Sequence, residues 1–300
     1  WPWFSIIILL TFAYYGVYIY VTGLKDGAEL TSFKRAAGWA SAILFIVIGF
    51  LFSNGFSLMT NLRAWSQIWQ STSVAGAPLG TALNLSDPTL LPRWLMMFGL
   101  ALTTVAAYTV FDAGVFARRE SAEYRRWAGS FALQLYTIGL IWFAAMGSWY
   151  VFGAWPTDVR DQMFSSPLII LTVLTALGPG LPWLLILWQR RDEALTPPYG
   201  HPSPVGDYGR GAGGEGQPRR AQTLAIVTGL AQFGVLAINA ISRQLVQNIE
   251  LSKFLDVTAE PVNLQLSPLI VFLILFVAGL GVVAWMLEKV LRAERQPTTR

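Results

Sequence analysis

Of 300 residues, 54% are apolar and 13% charged, the mean hydropathy is +0.49, and 13 are Trp, a composition that excludes an ordinary soluble globule. The net charge of +4 is modest and is concentrated between apolar runs, which points to membrane topology and away from nucleic acid. With no Cys, disulfides, thiolate metal sites and covalent c-type haem attachment are excluded. The single His, His201, excludes bis-histidine haem ligation by this chain alone.

A hydrocarbon core of about 30 Å needs roughly 20 residues of helix, and the chain offers seven such runs. Span one, about 3–21, opens WPWFSIIILL with no basic residue ahead of it, so it does not read as a secretory signal. The second span, about 36–59, carries Ser53 and Asn54 close to its far end. Span three, about 91–116, is the stretch around which the others are arranged, opened by Pro92 and followed by Arg118 and Arg119. Span four, about 127–152, holds a polar Gln134. Span five, about 166–188, is interrupted by GPGLP at 178–182, and two prolines there predict a kink. Spans six and seven cover about 223–240 and 266–287. The expected fold is an all-α, polytopic transmembrane helical bundle, with 1–300 forming a single integral membrane domain.

Basic residues set the orientation. Loops 22–35, 117–126 and 189–220 and the tail after Leu287 are rich in Lys and Arg, while 60–90, 153–165 and 241–265 are not. The alternation places the N-terminus outside and the C-terminus inside. A multi-pass protein of the bacterial cytoplasmic (inner) membrane is expected.

Two connections carry information. In the outer loop 60–90, Leu62, Trp65, Ile68 and Trp69 recur at three- and four-residue spacing, which predicts a short interfacial helix. The cytoplasmic loop 189–220 is rich in Pro and Gly, reads as irregular, and contains His201. No nucleotide-binding or haem-attachment motif is present.

Polar groups within spans normally face a bundle interior. Asn54 and Asn239 are expected to bond between helices, and Asp112 to pair with Arg118 or Arg119. Arg93 and Trp94 open span three at the outer interface, and Arg243 closes span six on the same side. Such arginines snorkel, bond lipid headgroups, or face a propionate or quinone. Met96 and Met97 follow; a thioether packs well and is also an axial haem ligand.

The segments SNGFSLMTNLRAW (53–65), DPTLLPRWLMM (87–97), GSFALQLYTIGLIWF (129–143) and LSPLIVFLILFVAGLGVVAWML (266–287) resemble bacterial membrane proteins related to subunit I of cytochrome bd quinol oxidases. The resemblance covers most of the chain. It implies quinol-linked electron transfer beside c-type cytochromes. It also implies histidine and methionine haem ligands and acidic residues on the spans. Here no span contains His, and the position after P-R-W, where such proteins carry histidine, is Met96. The resemblance therefore implies a copy that has lost its haems.

The leading expectation is a membrane-anchoring, cofactor-poor subunit of a respiratory or quinol-linked electron-transfer complex, not catalytic alone. It would hold haem- or iron–sulfur-bearing partner subunits in the presence of lipids, and no nucleic acid. No cofactor is assigned to this chain by itself; a quinone, or a haem shared with a partner, is expected at its outer side. The candidate cofactor-binding residues are Arg93, Trp94, Met96, Trp65, Trp69, Gln134 and Arg243. The alternative is a secondary transporter or permease that uses the broken span five. A lipid-modifying enzyme ranks last, because no carboxylate pair, His cluster or nucleophile–base arrangement is evident. A retinal photoreceptor is disfavoured because span seven has no Lys.

Overall fold

The computed structural model describes residues 2–24, 30–117, 120–194, 216–255, 259 and 265–293. Among these, seven helices are long and apolar enough to cross a membrane, and the chain is a multi-pass membrane protein. Closed helices are what a bilayer permits, since each backbone amide must find its partner within the segment. The chain divides into two compact units, Trp1–Leu255 and Asp256–Arg300.

The first unit is a helical bundle. Helix α1 (Pro2–Leu24) pairs with α2 (Ser32–Thr60), which is capped by the Thr31 hydroxyl accepting from Lys34 N at 3.4 Å. A turn at Leu62–Ala64 leads into α3 (Trp65–Thr72), the short helix expected from the spacing of Trp65 and Trp69. An unexpected hairpin of β1 (Ser73–Val74) and β2 (Ala77–Pro78) follows. Its tip places Ala75 and Gly76 at positive φ, the geometry of a tight two-residue turn.

Helix α4 (Leu90–Val115) lies at the centre of the bundle and packs most extensively on α5 (Ala122–Ser148) and α9 (Gly216–Leu251). Two glycines permit the α4–α5 approach: a Cβ on Gly99 would stand 2.7 Å from Phe143 N, and one on Gly139 would stand 2.9 Å from Gly99 O. Helix α5 ends in a π-helical turn, Trp149–Ala154, followed by a short α6 (Thr157–Met163). In the sequence, 153–165 stands out only as a connection poor in basic residues. Instead, Val159 and Met163 of α6 form a small core with Val246 and Ile249 of α9.

Span five is broken as its GPGLP segment predicts. Helix α7 (Leu168–Leu177) stops before Pro179, and α8 (Gly180–Ala194) starts immediately after it. The two halves lean on different neighbours, α8 on α5 as well as α9, and α7 on α9. Span six is longer than expected. Hydropathy alone marks about 223–240, whereas α9 runs Gly216–Leu251, because residues 241–251 continue the helix with Val246 and Ile249 buried and Arg243 and Gln244 exposed. Arg243 is therefore inside the helix and does not close it. The flanks of the 189–220 loop are likewise helical, belonging to α8 and α9; 195–215, with His201, lies outside the described residues. The second unit contains α10 (Leu266–Ala293), the seventh span.

Candidate functional site

The end of the bundle that carries Arg93 holds an unusual density of buried polar groups. From α2, Asn54 and Ser57 point at the segment that precedes α4. Asn54 Nδ2 donates to Ala82 O at 3.0 Å, and Asn54 Oδ1 accepts from Asn84 N at 2.8 Å. Asn84 Nδ2 donates to Ser57 Oγ at 2.7 Å, and Ser57 Oγ donates to Asp87 Oδ2 at 2.5 Å. The interhelical bond expected of Asn54 is replaced by two bonds to the loop before α4, which it pins.

That pinned loop sets the direction of a chain of hydrogen bonds. Asp87 Oδ1 accepts from both the backbone N and the hydroxyl of Thr89, each at 2.8 Å. The same hydroxyl accepts from Arg93 Nη2 at 3.1 Å. Arg93 Nε donates to the Tyr150 hydroxyl at 3.2 Å, and its guanidinium lies over the Tyr150 ring at 5.5 Å. The π-helical turn brings Tyr150 to this point. Glu250 of α9 completes the group, with Oε2 at 3.9 Å from Arg93 Nη2. Arg93 is only 5% exposed, so its charge is met by protein and not by water. A buried cation held by two carboxylates, one directly and one through Thr89, avoids most of its desolvation cost.

Beside this network lies a cavity of about 490 Å³. Arg93, Met96, Met97 and Leu100 line it from one face of α4, at the i, i+3, i+4, i+7 spacing of a helix. Phe143, Gly147 and Tyr150 line it from α5 and its π-helical turn, Thr172 and Thr175 from α7, and Leu236, Asn239, Ser242 and Arg243 from α9. Thr175 and Ser242 bond each other at 2.5 Å, tying the α7 half of the broken span to α9. Arg243 stacks over Phe56 at 4.8 Å and forms no hydrogen bond or ion pair among the described residues. A second crevice of about 10 Å³ lies on the Glu250 side, lined by Phe56, Arg93, Tyr150, Arg243 and Glu250 among others. The large cavity is apolar along its length with hydrogen-bond donors at one end, the design of a site for an amphipathic small molecule.

Below the cavity the bundle is packed. Tyr136 Oη donates to Gln232 Oε1 at 2.8 Å, and Gln232 Nε2 donates to the hydroxyls of Thr103 and Thr104 at 3.2 and 3.1 Å. Ala106, Ala107, Val110, Ala132, Ile186 and Ala225 fill the space around Tyr136.

Of the residues expected at a site, Arg93, Met96 and Arg243 line the cavity. Trp94, one residue from Arg93, is rotated by about 100° around α4 and packs edge-on against Phe50 at 5.4 Å. Trp65 donates to Leu58 O at 2.7 Å and Trp69 is half exposed on α3; neither reaches the cavity. Gln134 lies on the exposed face of α5, two and a half turns from the cavity stretch that starts at Phe143, and lines none of it. Asn239 bonds Val235 O within its own helix. Asp112 accepts from the Tyr124 hydroxyl at 3.3 Å; Arg118 and Arg119 lie outside the described residues.

Tyr150, Glu250, Asp87 and Thr89 escaped sequence reasoning. Neither hydropathy nor spacing singles out any of the four, because each acquires its partners only in the folded bundle. The nearest signal is at α9, where Arg243, Val246 and Glu250 share one helical face.

The lining residues fit a quinone and a haem unequally. A quinone head asks for donors to two carbonyls and a slot for a flat ring, which Arg243, the Arg93–Tyr150 pair and the surrounding apolar walls provide. A haem asks for axial ligands. The cavity offers the thioethers of Met96, Met97 and Met163 and the Tyr150 hydroxyl for that purpose; Tyr150 is engaged by Arg93, and Met96 packs on Gly147, where a Cβ would stand 3.6 Å from its sulfur. Among the described residues no group of three or more His, Cys, Asp or Glu is placed to hold a metal.

No family model matches the chain, and neither a search of curated proteins nor one of solved structures found a relative.

Proposed function

We propose that this chain is a membrane subunit of a quinol-linked electron-transfer complex, and that its cavity binds the head of an isoprenoid quinone. The protein would sit in the bacterial inner membrane with its N-terminus outside and its C-terminus inside, so that the Arg93 end faces outward. Redox centres would belong to haem- or iron–sulfur-bearing partner subunits, and the role of this chain would be to hold and orient the quinone beside them. When bound, the quinone supplies two-electron carrier chemistry; the residues of this chain bind it and exclude water. The single observation that carries the reading is the donor pole of Arg243 and the Arg93–Tyr150 pair at one end of an apolar cavity of about 490 Å³. The sequence resemblance to subunit I of bd-type oxidases points the same way.

Within this reading each residue has a task. Arg243, with no protein acceptor among the described residues, donates to a carbonyl oxygen of the ligand. Arg93 is held by Thr89, Tyr150 and Glu250, so it fixes the local field more than it moves toward a ligand. Phe143, Leu100 and Leu236 supply apolar contact to the ring and the first part of its tail.

One observation favours a transporter, since Thr172, Thr175, Ala176 and Leu177 of the broken span line the cavity. Against it, the cavity ends on the packed layer around Tyr136 and Gln232. Only span five is interrupted by proline among the described helices, so the paired break of an inverted repeat is missing.

The deciding experiment is purification in mild detergent, mass spectrometry of everything that co-purifies, and organic extraction of bound lipid. Quinone in the extract, haem bands from partner subunits, and quenching of the cavity Trp155 by a short-chain benzoquinone support the proposal. Arg243→Leu should weaken that quenching titration by about tenfold. A colourless single chain with no extractable quinone and no quenching would overturn it and bring transport forward.

A further inference from the structure

The cavity wall is not closed all round. On α5 and its π-helical turn the residues that both line it and are exposed are Ala144, Ser148 and Phe152, which recur every four residues and so form one stripe. From α7 the exposed lining residues are Ala176 and Leu177, the latter 70% exposed. All of these positions fall within the spans Glu123–Ala154 and Leu168–Arg191, so this side of the cavity meets hydrocarbon and not water.

The break in span five accounts for the gap. Both halves pack on α9, but α8 also packs extensively on α5, whereas α7 is tied to α9 by the Thr175–Ser242 bond and has no comparable packing on α5. The separation is filled on the α5 side by small groups: Ala144, Gly147 and Ser148. A helix face of small, apolar or weakly polar residues beside a cavity leaves room for a chain of methylene or isoprenoid width.

We propose that the opening between α5 and α7 is a lateral portal. The hydrocarbon tail of a membrane-dissolved ligand lies in it, while the head lies against Arg243, beside the fixed Arg93. This rests on the quinone reading above and adds the route of entry and the orientation of the ligand. The commitment to a tailed lipid comes from the polarity gradient: the cationic groups Arg93 and Arg243 stand at the end of the cavity beside the Asp87–Glu250 network, and an apolar rim within the spans lies at the other. A water-soluble ligand has no reason to use this side.

The test is photoaffinity mapping on the full chain with a benzoquinone that carries a diazirine at the end of a decyl tail. Adducts competed by unlabelled decyl-benzoquinone are expected on 144–152 and 176–177. In parallel, Ala176→Trp fills the rim, with Ile138→Trp on the exposed α5 face as control. Ala176→Trp should weaken the decyl compound by about tenfold and tailless benzoquinone by less than about twofold. Competed adducts on α3 or on other helices, or equal loss for both compounds, would overturn the portal while leaving the quinone site standing. Absence of competed labelling together with no binding of tailless benzoquinone would sink both the portal and the quinone reading.

Discussion

Arg93 Nε donates to the Tyr150 hydroxyl at 3.2 Å, across 57 residues of sequence, and the same guanidinium stands 3.9 Å from Glu250. The three side chains join α4, the π-helical turn and α9 at one point. Because both charges are largely removed from water, each depends on the other. Arg93→Gln leaves Glu250 without its cation and should destabilise the bundle by about 3–5 kcal/mol. Adding Glu250→Gln should recover most of that loss, since two neutral amides replace the pair. Thermal unfolding in detergent of the two singles and the double closes the cycle. A double variant as unstable as Arg93→Gln alone would show that Glu250 is not what Arg93 is needed for.

Tyr150→Phe separates the hydroxyl from the ring. The ring keeps its place over the guanidinium, but Nε loses its acceptor. The expected cost is about 1–3 kcal/mol, that of a buried donor left without a partner. Quinone-analogue quenching should weaken in the same variant, because Arg93 is then free to shift within the cavity wall. Unchanged stability would mean that another group takes over the Nε proton.

Much of this architecture is legible in the sequence, and what is not has definite physical causes. Spans three and seven were expected at about 91–116 and 266–287 and are found at Leu90–Val115 and Leu266–Ala293, since long apolar runs leave little choice in a bilayer. The kink at 178–182 follows from the missing amides of two prolines. By contrast, ISRQLVQNIEL at the end of α9 carries too many polar groups for a hydropathy window, although its phase hides Val246 and Ile249 and exposes Arg243. The hairpin after α3 escaped because Ala75 occupies a turn position where Asn or Gly is the usual signal. Of the site, Arg93, Met96 and Arg243 stood out as polar or ligating groups near span ends. Tyr150, Asp87 and Glu250 acquire meaning only when tertiary packing gathers them.

The α4–α5 crossing gives a purely steric prediction. A side chain at Gly139 meets backbone, with Gly99 O at 2.9 Å and the Leu102 Cβ at 2.9 Å, so neither neighbour yields cheaply. Gly139→Val should cost about 1–3 kcal/mol through forced separation of the two helices. Gly147→Ala is the contrasting case, because its Cβ would meet only the Met96 side chain at 3.6 Å and beyond. That variant should be neutral in stability. A Gly147→Ala loss equal to that of Gly139→Val would argue against the helix spacing described above.

At the edge of the bundle, Lys253 Nζ lies 2.6 Å from Asp158 Oδ2, linking α6 to the residues just beyond α9. The hydrogen bond from Lys253 holds the Asp158 carboxyl below its ordinary value of 3.8. A carboxylate with a lowered folded-state pKa adds stability that is fully present above the ordinary value. That stability disappears as pH falls through the lower folded value. Both side chains are partly exposed, at 33% and 43%, so the pair is worth at most about 1 kcal/mol. Lys253→Ala should therefore lower the unfolding temperature slightly near neutrality and leave it unchanged at the acid end. A constant offset at all pH values would assign the effect to packing and not to the ion pair.

Gln134 offers the most informative substitution outside the cavity. It is exposed on α5, within a span, and no hydrogen bond to it is present among the described residues. An amide facing hydrocarbon is unfavourable, and Gln134→Leu should stabilise the isolated chain by roughly 1 kcal/mol through removal of that polar group. The same helix face presents Trp127, Phe131, Ile138 and Ile141, all exposed and apolar, so leucine matches its surroundings. The measurement is unfolding of the isolated chain and of the chain purified with whatever accompanies it. Stabilisation in both preparations means that Gln134 faces lipid. Stabilisation alone but dissociation of the co-purified material means that the amide is bonded by a neighbouring subunit, which would locate the partner on α5.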